Sequence, residues 1–232
     1  MENLQLDRNT DTVIIVPVYN EGEVLGEVIA DVFKHFVNVI CVDDGSSDNS
    51  AEIARRSGAK VIAHPMNLGQ GAALQTGFDA ALLIPEAKYF VTFDADGQHS
   101  VSDAQIMVKR LRQGDVQIVF GSRFLDNRTN VSFSKRLVLK LAVTYSNALT
   151  GLKLTDAHNG LRAFNREVIE TIEIKHDGMA HASEIVNQVS RGKFDYTEIP
   201  VHIVYTEYSK AKGQSLWNSV NILFDLTFRS FR

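Results

Sequence analysis

Five short apolar runs, each stopping on a polar or acidic turn, constrain this chain more than any other feature. Residues 13–18 end at Asn20-Glu21, 37–42 at Asp43-Asp44-Gly45, 60–63 at His64 to Asn67, 89–93 at Asp94-Ala95-Asp96-Gly97, and 116–120 at Gly121-Ser122-Arg123. The runs are rich in Val, Ile and Phe and too short for buried helices, so they read as strands. The intervening segments carry helical spacing. Residues 21–36 put Val24, Leu25, Val28, Ile29, Val32 and Phe36 on one face, Asp48 can cap a helix running to Ser57, and further helices read over 70–84 and 102–113. Alternating strands and helices imply an α/β fold with a largely parallel sheet covered on both faces.

The second half is less regular. Helical signals cover 134–150, 182–191 and 215–231, turn chemistry covers 155–164, and 194–205 reads as strand. No repeat, low-complexity tract or linker interrupts the chain. One domain over 12–213 is therefore expected, after a polar tail at 1–11 and before an apolar or amphipathic helix at 214–232.

In open α/β sheets, ligands bind beyond the carboxyl ends of the strands. Four of the five runs end on ionisable side chains, so the polar chemistry collects at one sheet edge. Asp94 and Asp96, spaced i, i+2 past a buried strand, can reach one hard divalent cation, with Gln98 as a further oxygen donor. Taken alone, a D-x-D is as readily a solvated turn. A calcium loop starting at Asp94 fails on counting, because His99 stands where Gly is needed and Gln105 where Glu is needed. Asp43 to Asp48 also suits a phospho-acceptor pocket or a plain strand-to-helix turn, but a receiver domain leaves Asp94-Ala95-Asp96 unexplained. Asn67 to Ala73 lacks the third glycine of a dinucleotide fingerprint, since Leu74 stands there. Its glycines instead let a helix start approach a ligand or a neighbouring strand. His64 and His99 lack zinc spacing and read as surface or supporting residues, and Cys41 reads as core.

A net charge of −4 argues against a nucleic-acid partner. The single cysteine fits a reducing compartment. The N-terminus has no signal-peptide core, and no apolar run approaches the roughly 18–20 residues of a membrane span. A cytoplasmic protein, peripheral at the inner face of the membrane, is expected. In the last helix Asn218, Asn221, Asp225 and Arg229 form a narrow polar strip on an otherwise apolar surface. Such a helix docks on its own domain, on a membrane surface or on a small membrane subunit. Lys135, Arg136 and Lys140 beside leucines favour membrane-surface contact.

Five segments together, Val16 to Glu21, Asp43 to Asp48, Asn67 to Gly71, Asp94 to Gln98 and Gly121 to Arg123, resemble family 2 glycosyltransferases of the GT-A fold. The chain is most similar to the dolichol/polyprenyl-phosphate hexose transferases, over about residues 12–215. The resemblance implies a single GT-A domain with a mostly parallel, Rossmann-like sheet. It implies inverting, metal-dependent transfer of a hexose from a UDP- or GDP-sugar to a polyprenyl phosphate. The alternative is a soluble transferase adding a sugar to a saccharide hydroxyl in surface polysaccharide synthesis. A nucleotide-sugar-binding module without activity is a third possibility, disfavoured by intact Asp94, Asp96 and Arg123.

The resemblance also implies roles. Pro17, Tyr19, Glu21, Asp43, Asp44, Asn67, Gly71 and Ala95 would hold the nucleotide sugar, and Asp94, Asp96 and Gln98 a Mg²⁺ or Mn²⁺ ion. Arg123 would meet the acceptor phosphate, helped by Arg136 or alternatively Lys135. Asp156 to Arg162 resembles the family's acceptor-side turn, and Glu184 would lie near the donor sugar. Relatives often carry R-x-x-G-x-S-K where this chain has Lys210 to Leu216; Lys210 takes the Arg position, and Lys212 is the candidate for the missing basic contact. A phosphate monoester, with its second pKa at about 6, needs no general base near neutral pH. A sugar hydroxyl does, and Asp156 and Glu184 are then the candidates.

Overall fold

A computed structural model describes residues 9–126, 133–178 and 180–204. In chain order the elements are β1 (Asn9–Val18), α1 (Leu25–Phe33), β2 (Phe36–Asp43), α2 (Ser50–Arg56), β3 (Lys60–Ala63), α3 (Gln70–Leu82), β4 (Tyr89–Thr92), α4 (Val101–Leu111), β5 (Ile118–Ser122), α5 (Phe133–Thr150), β6 (Arg162–Asn165), α6 (Arg166–Thr171), α7 (His181–Gly192) and β7 (Tyr196–Pro200). The strands form one sheet in the order β3-β2-β1-β4-β6-β5-β7. All pairings are parallel except those of β6, which runs antiparallel to both β4 and β5.

β1 shows why the sheet is buried on both sides. Its side chains alternate, so Val13 and Ile15 enter one core while Ile14, Val16 and Val18 enter the other. The first core is closed by α3, α6 and α7, through residues such as Phe78, Val168 and Ile185. The second is closed by α1, α2 and α4, through Leu25, Ala54 and Met107. Each large side chain so buried contributes about 1.5–3 kcal/mol against exposure. Cys41 lies in the second core, where burial first, then the charge of Asp43, push its thiol up to about 12. It is core, as its place in an apolar strand implied.

The departures from expectation have local causes. β1 starts at Asn9, inside the stretch read as tail, because Asn9 N donates to His35 O. α1 starts at Leu25 rather than at 21, since the N–H groups of Glu21 and Gly22 donate to side chains of the next loop. The stretch 155–164 is not all turn, because its end joins β6, a short strand recognisable only from its neighbours on both sides. The strand expected over 194–205 contracts to Tyr196–Pro200. The helix expected over 215–231 lies outside the described residues.

Candidate active site

Parallel pairing brings the carboxyl ends of β1, β2, β3, β4 and β5 to one edge. β6 runs the other way, so it begins at that edge, and the turn 156–161 that feeds it sits there too.

The loops that follow β1 and β2 are stitched together. Asn20, at φ 54, accepts through Oδ1 from Ser47 N at 2.8 Å, and its own N–H donates to Ser46 Oγ at 2.9 Å. Glu21 N donates to Ser50 Oγ at 2.8 Å and Gly22 N to Asp48 Oδ2 at 3.0 Å. Asp48 also accepts from Ser50 N at 2.9 Å, one residue ahead of the N-cap of α2, which is Asn49 and not Asp48 as expected. Tyr19 is exposed beside this seam.

The adjacent acids ending β2 have separate roles. Asp44 accepts from Leu68 N at 2.9 Å and Gly69 N at 2.8 Å, and pairs with His64 Nδ1 at 2.7 Å. His64 in turn reaches Thr76 Oγ1 of α3 at 2.9 Å. Asp44 therefore organises the loop that carries Asn67. Asp43 is equally buried, yet its Oδ1 has no partner among the described residues. Leaving such an acceptor unmatched costs about 1–3 kcal/mol, which a ligand N–H would recover. Gly71 is not open to a ligand. Its N–H donates to Asp177 O at 2.8 Å, and a Cβ there would collide with His176 O.

Asp94 and Asp96 flank Ala95, whose side chain is in the core. Asp94 pairs with His99 Nε2 at 2.9 Å and accepts from Gln70 Nε2 at 3.2 Å. Burial opposes its ionisation, but His99, Arg162 and His181 prevail and hold its carboxyl below the ordinary range. Asp96 moves the other way: burial, the charge of Asp94 and that of Glu21 push it up to about 6. Gly160 provides the space for Asp94, since a Cβ there would strike the carboxylate. No three His, Cys, Asp or Glu side chains close around a metal among the described residues. The crowded pair, with 30 % of the Asp94 side chain exposed, fits an ion that completes its shell with phosphate oxygens and water. Gln98 is buried, its N–H donating to Asp96 Oδ1 and its carbonyl accepting from Val204 N, each at 3.0 Å.

At the end of β5, Arg123 forms a fork on Asp156. Its Nε lies 2.6 Å from Oδ2 and its Nη2 2.8 Å from Oδ1, and its backbone N–H also reaches Oδ2 at 3.1 Å. Burial raises the cost of a charged Asp156, but Arg123 outweighs it and holds the carboxyl below its usual range. Asp156 is thus committed to orienting Arg123, not placed as a free base. Glu184, in the first turn of α7, accepts from Lys175 N at 3.0 Å and His176 N at 2.9 Å, so it fastens the loop before that helix. Arg136 lies 5.9 Å from the Phe124 ring centre and Arg123 5.8 Å from the same centre, so two cations flank one aromatic just beyond β5. The side chain of Lys135, and Lys210 and Lys212, lie outside the described residues.

Two groups beside these carboxylates have no role in the sequence reading. His181 acts electrostatically on Asp94, and burial followed by Arg162 pulls its pKa down to about 4. Arg162 is wholly buried, and burial brings it down to about 10 against the pull of Asp94 and Asp156. Position within the Asp156 to Arg162 turn was the one available signal for Arg162.

Residues 13–173 match the profile of Glycosyl transferase family 2. An uncharacterised protein of Methanocaldococcus jannaschii is 35% identical over 97% of this chain and 95% of its own length. A UDP-N-acetylglucosamine–dolichyl-phosphate N-acetylglucosaminyltransferase of Methanococcus voltae is 30% identical over 92% of this chain and 93% of its own. A polyprenol monophosphomannose synthase of Mycolicibacterium smegmatis is 30% identical over 88% and 82%. Among solved structures, glucosyl-3-phosphoglycerate synthase of Mycobacterium tuberculosis, crystallised with Mn²⁺, UDP and glucosyl-3-phosphoglycerate, superposes with a TM-score of 0.72 at 16% identity, covering 94% of this chain and 79% of that one. That likeness concerns the fold, which is GT-A. The chain belongs to glycosyl transferase family 2 and is a glycosyltransferase.

Proposed function

We propose that the protein transfers a hexose from a nucleotide diphosphate sugar, UDP- or GDP-linked, to a polyprenyl phosphate, inverting the anomeric carbon. The observation that carries the choice of acceptor is the state of the two base candidates. Asp156 is locked in its fork with Arg123, and Glu184 is spent on two backbone N–H groups. An acceptor hydroxyl would need a base, whereas a phosphate monoester is already largely the dianion near neutral pH. The planar guanidinium of Arg123, fixed in place by Asp156, is oriented to meet phosphate oxygens in the bidentate manner natural to it. The names of the Methanococcus and Mycolicibacterium relatives support the same acceptor class.

On the donor side Asp43 offers its unmatched oxygen to the base, with Pro17, Tyr19 and Glu21 lining the same edge. Asp94 and Asp96 would hold Mg²⁺ or Mn²⁺, which neutralises the leaving diphosphate as a Lewis acid. No helix among the described residues is long and apolar enough to cross a membrane. Leu137, Leu141 and Leu149 are nevertheless exposed on α5, close in sequence to Arg136 and Lys140. This supports a peripheral seat at the inner membrane face, where the lipid acceptor's head group is presented.

The test is incubation with radiolabelled nucleotide sugars, Mg²⁺ or Mn²⁺, and either polyprenyl phosphate or free saccharides, followed by lipid extraction. Label in the lipid fraction, lost on Asp96→Ala, is the expected outcome. Label confined to water-soluble saccharide would refute the acceptor, and turnover by Asp96→Ala would refute the metal pair.

A further inference from the structure

We infer that Arg162 is a positioning residue whose single buried charge is shared between the donor-side carboxylate Asp94 and the acceptor-side pair Asp156–Arg123. It is among the largest fully buried side chains in the protein. It opens β6, directly opposite Thr92 of β4 and Phe120 of β5, so it stands between the two strands that deliver Asp94 and Arg123. Its Nη2 donates to Ala157 O at 3.3 Å, inside the turn that carries Asp156 at one end and Gly160 at the other. Thr92 Oγ1 pins that second end, donating to Gly160 O at 2.6 Å, where Gly160 abuts Asp94.

A buried cation persists only against counter-charge. Asp94 and Asp156 both attract Arg162, but each carboxylate accepts side-chain hydrogen bonds from other residues: Asp94 from His99 and Gln70, Asp156 from Arg123. Arg162 Nε is buried with no hydrogen-bond partner among the described residues. Its charge is therefore divided between the two sides, and the turn 156–160 is the mechanical link. The metal side and the phosphate side are held at a fixed separation by one residue that touches neither ligand.

The KM and kcat readings of its test rest on the proposed acceptor, and the Mn²⁺ reading does not. Arg162→Gln removes the charge. Mn²⁺ binding, measured by EPR without substrate, should then tighten about threefold or more, because a nearby positive charge is gone. The KM for polyprenyl phosphate should rise by about the same factor as the acceptor side turns more negative. A merely structural defect weakens both. Arg162→Lys keeps the charge and loses the Nη2 hydrogen bond to Ala157 O; both affinities should stay within about twofold while kcat falls about tenfold or more, as misplacement of reacting groups predicts. Mn²⁺ binding that weakens or does not move in Arg162→Gln overturns the inference. So does an unchanged kcat in folded Arg162→Lys, which decides the matter alone if Arg162→Gln does not fold. If the wild type ignores polyprenyl phosphate, the acceptor assignment fails while the Mn²⁺ arm still reads.

Discussion

Acidification should unfold the metal-free protein through two particular histidines. His158 and His181 are both lowered from 6.5 to about 4, chiefly by burial, with Arg162 opposing protonation of each. Because the folded pKa is depressed, the unfolded chain takes up these protons first, and stability present above pH 6.5 is lost as the pH falls toward 4. At pH 5 the loss comes to about 2 kcal/mol per ring, about 4 in all. Asp96 works against it. Its carboxyl is raised to about 6, so the folded state gains by protonating it, by about 1 kcal/mol between pH 7 and 5. Asp94 and Asp156 are depressed and stay ionised in both states until below about pH 4, so they do not enter this window. The net loss is about 2–3 kcal/mol, which for a chain of this length lowers Tm by roughly 4–12 °C. Scanning calorimetry in EDTA at pH 7, 6 and 5 measures it. In the double variant His158→Gln/His181→Gln the histidine contribution vanishes and that of Asp96 remains, so the slope should reverse and Tm rise slightly toward pH 5. A double variant that keeps the wild-type loss, or a wild type with a flat Tm, would refute the reasoning.

Four substitutions separate other roles. Asp156→Asn should cost about 3–5 kcal/mol in denaturant unfolding, because it removes the buried carboxylate that forks with Arg123, and should raise the acceptor KM more than the donor KM. Asp44→Ala removes the acceptor of two backbone N–H groups and of His64, so it should lower stability by about 3 kcal/mol or more. Asp43→Ala, which removes an unmatched buried oxygen, should leave stability equal or higher while weakening nucleotide binding in calorimetric titration; the opposite ranking would overturn the division of roles. Gly160→Ala places a methyl against the Asp94 carboxylate, so Mn²⁺ affinity should fall at least tenfold with little change in nucleotide affinity measured without metal.

Most of the sheet was legible because its strands are apolar at consecutive positions and end on turns rich in Asp and Gly. Those endings alone put Asn20, Asp43, Asp94 and Arg123 at one edge. β6 was not legible. It is four residues long, starts with an arginine and follows a turn, so nothing local separates it from that turn. Its identity comes from pairing with β4 and β5, which are remote in sequence. Arg162 was lost with it. The approach of residues 176–177 to Gly71 was equally silent, since the glycine announced a close contact and not its partner.

Asp43 and Asp44 mark where the sequence held more than was taken from it. Both were expected to cradle the nucleotide, yet side chains at i and i+1 on a strand point to opposite faces. Two adjacent acids at the end of β2 are therefore unsuited to lining one pocket. One had to turn back into the protein and find donors there, and Asp44 does so at Leu68, Gly69 and His64. Asp94 and Asp96, in the turn that follows β4, flank Ala95, whose side chain lies in the core. This division of hydrogen-bond partners sets Asp44, which serves the protein's own loop, apart from the three aspartates proposed to face ligands. It predicts that, of the four aspartates at these two strand ends, Asp44 alone can be replaced by a neutral hydrogen-bonding residue with transfer retained once the loop is stabilised by other means.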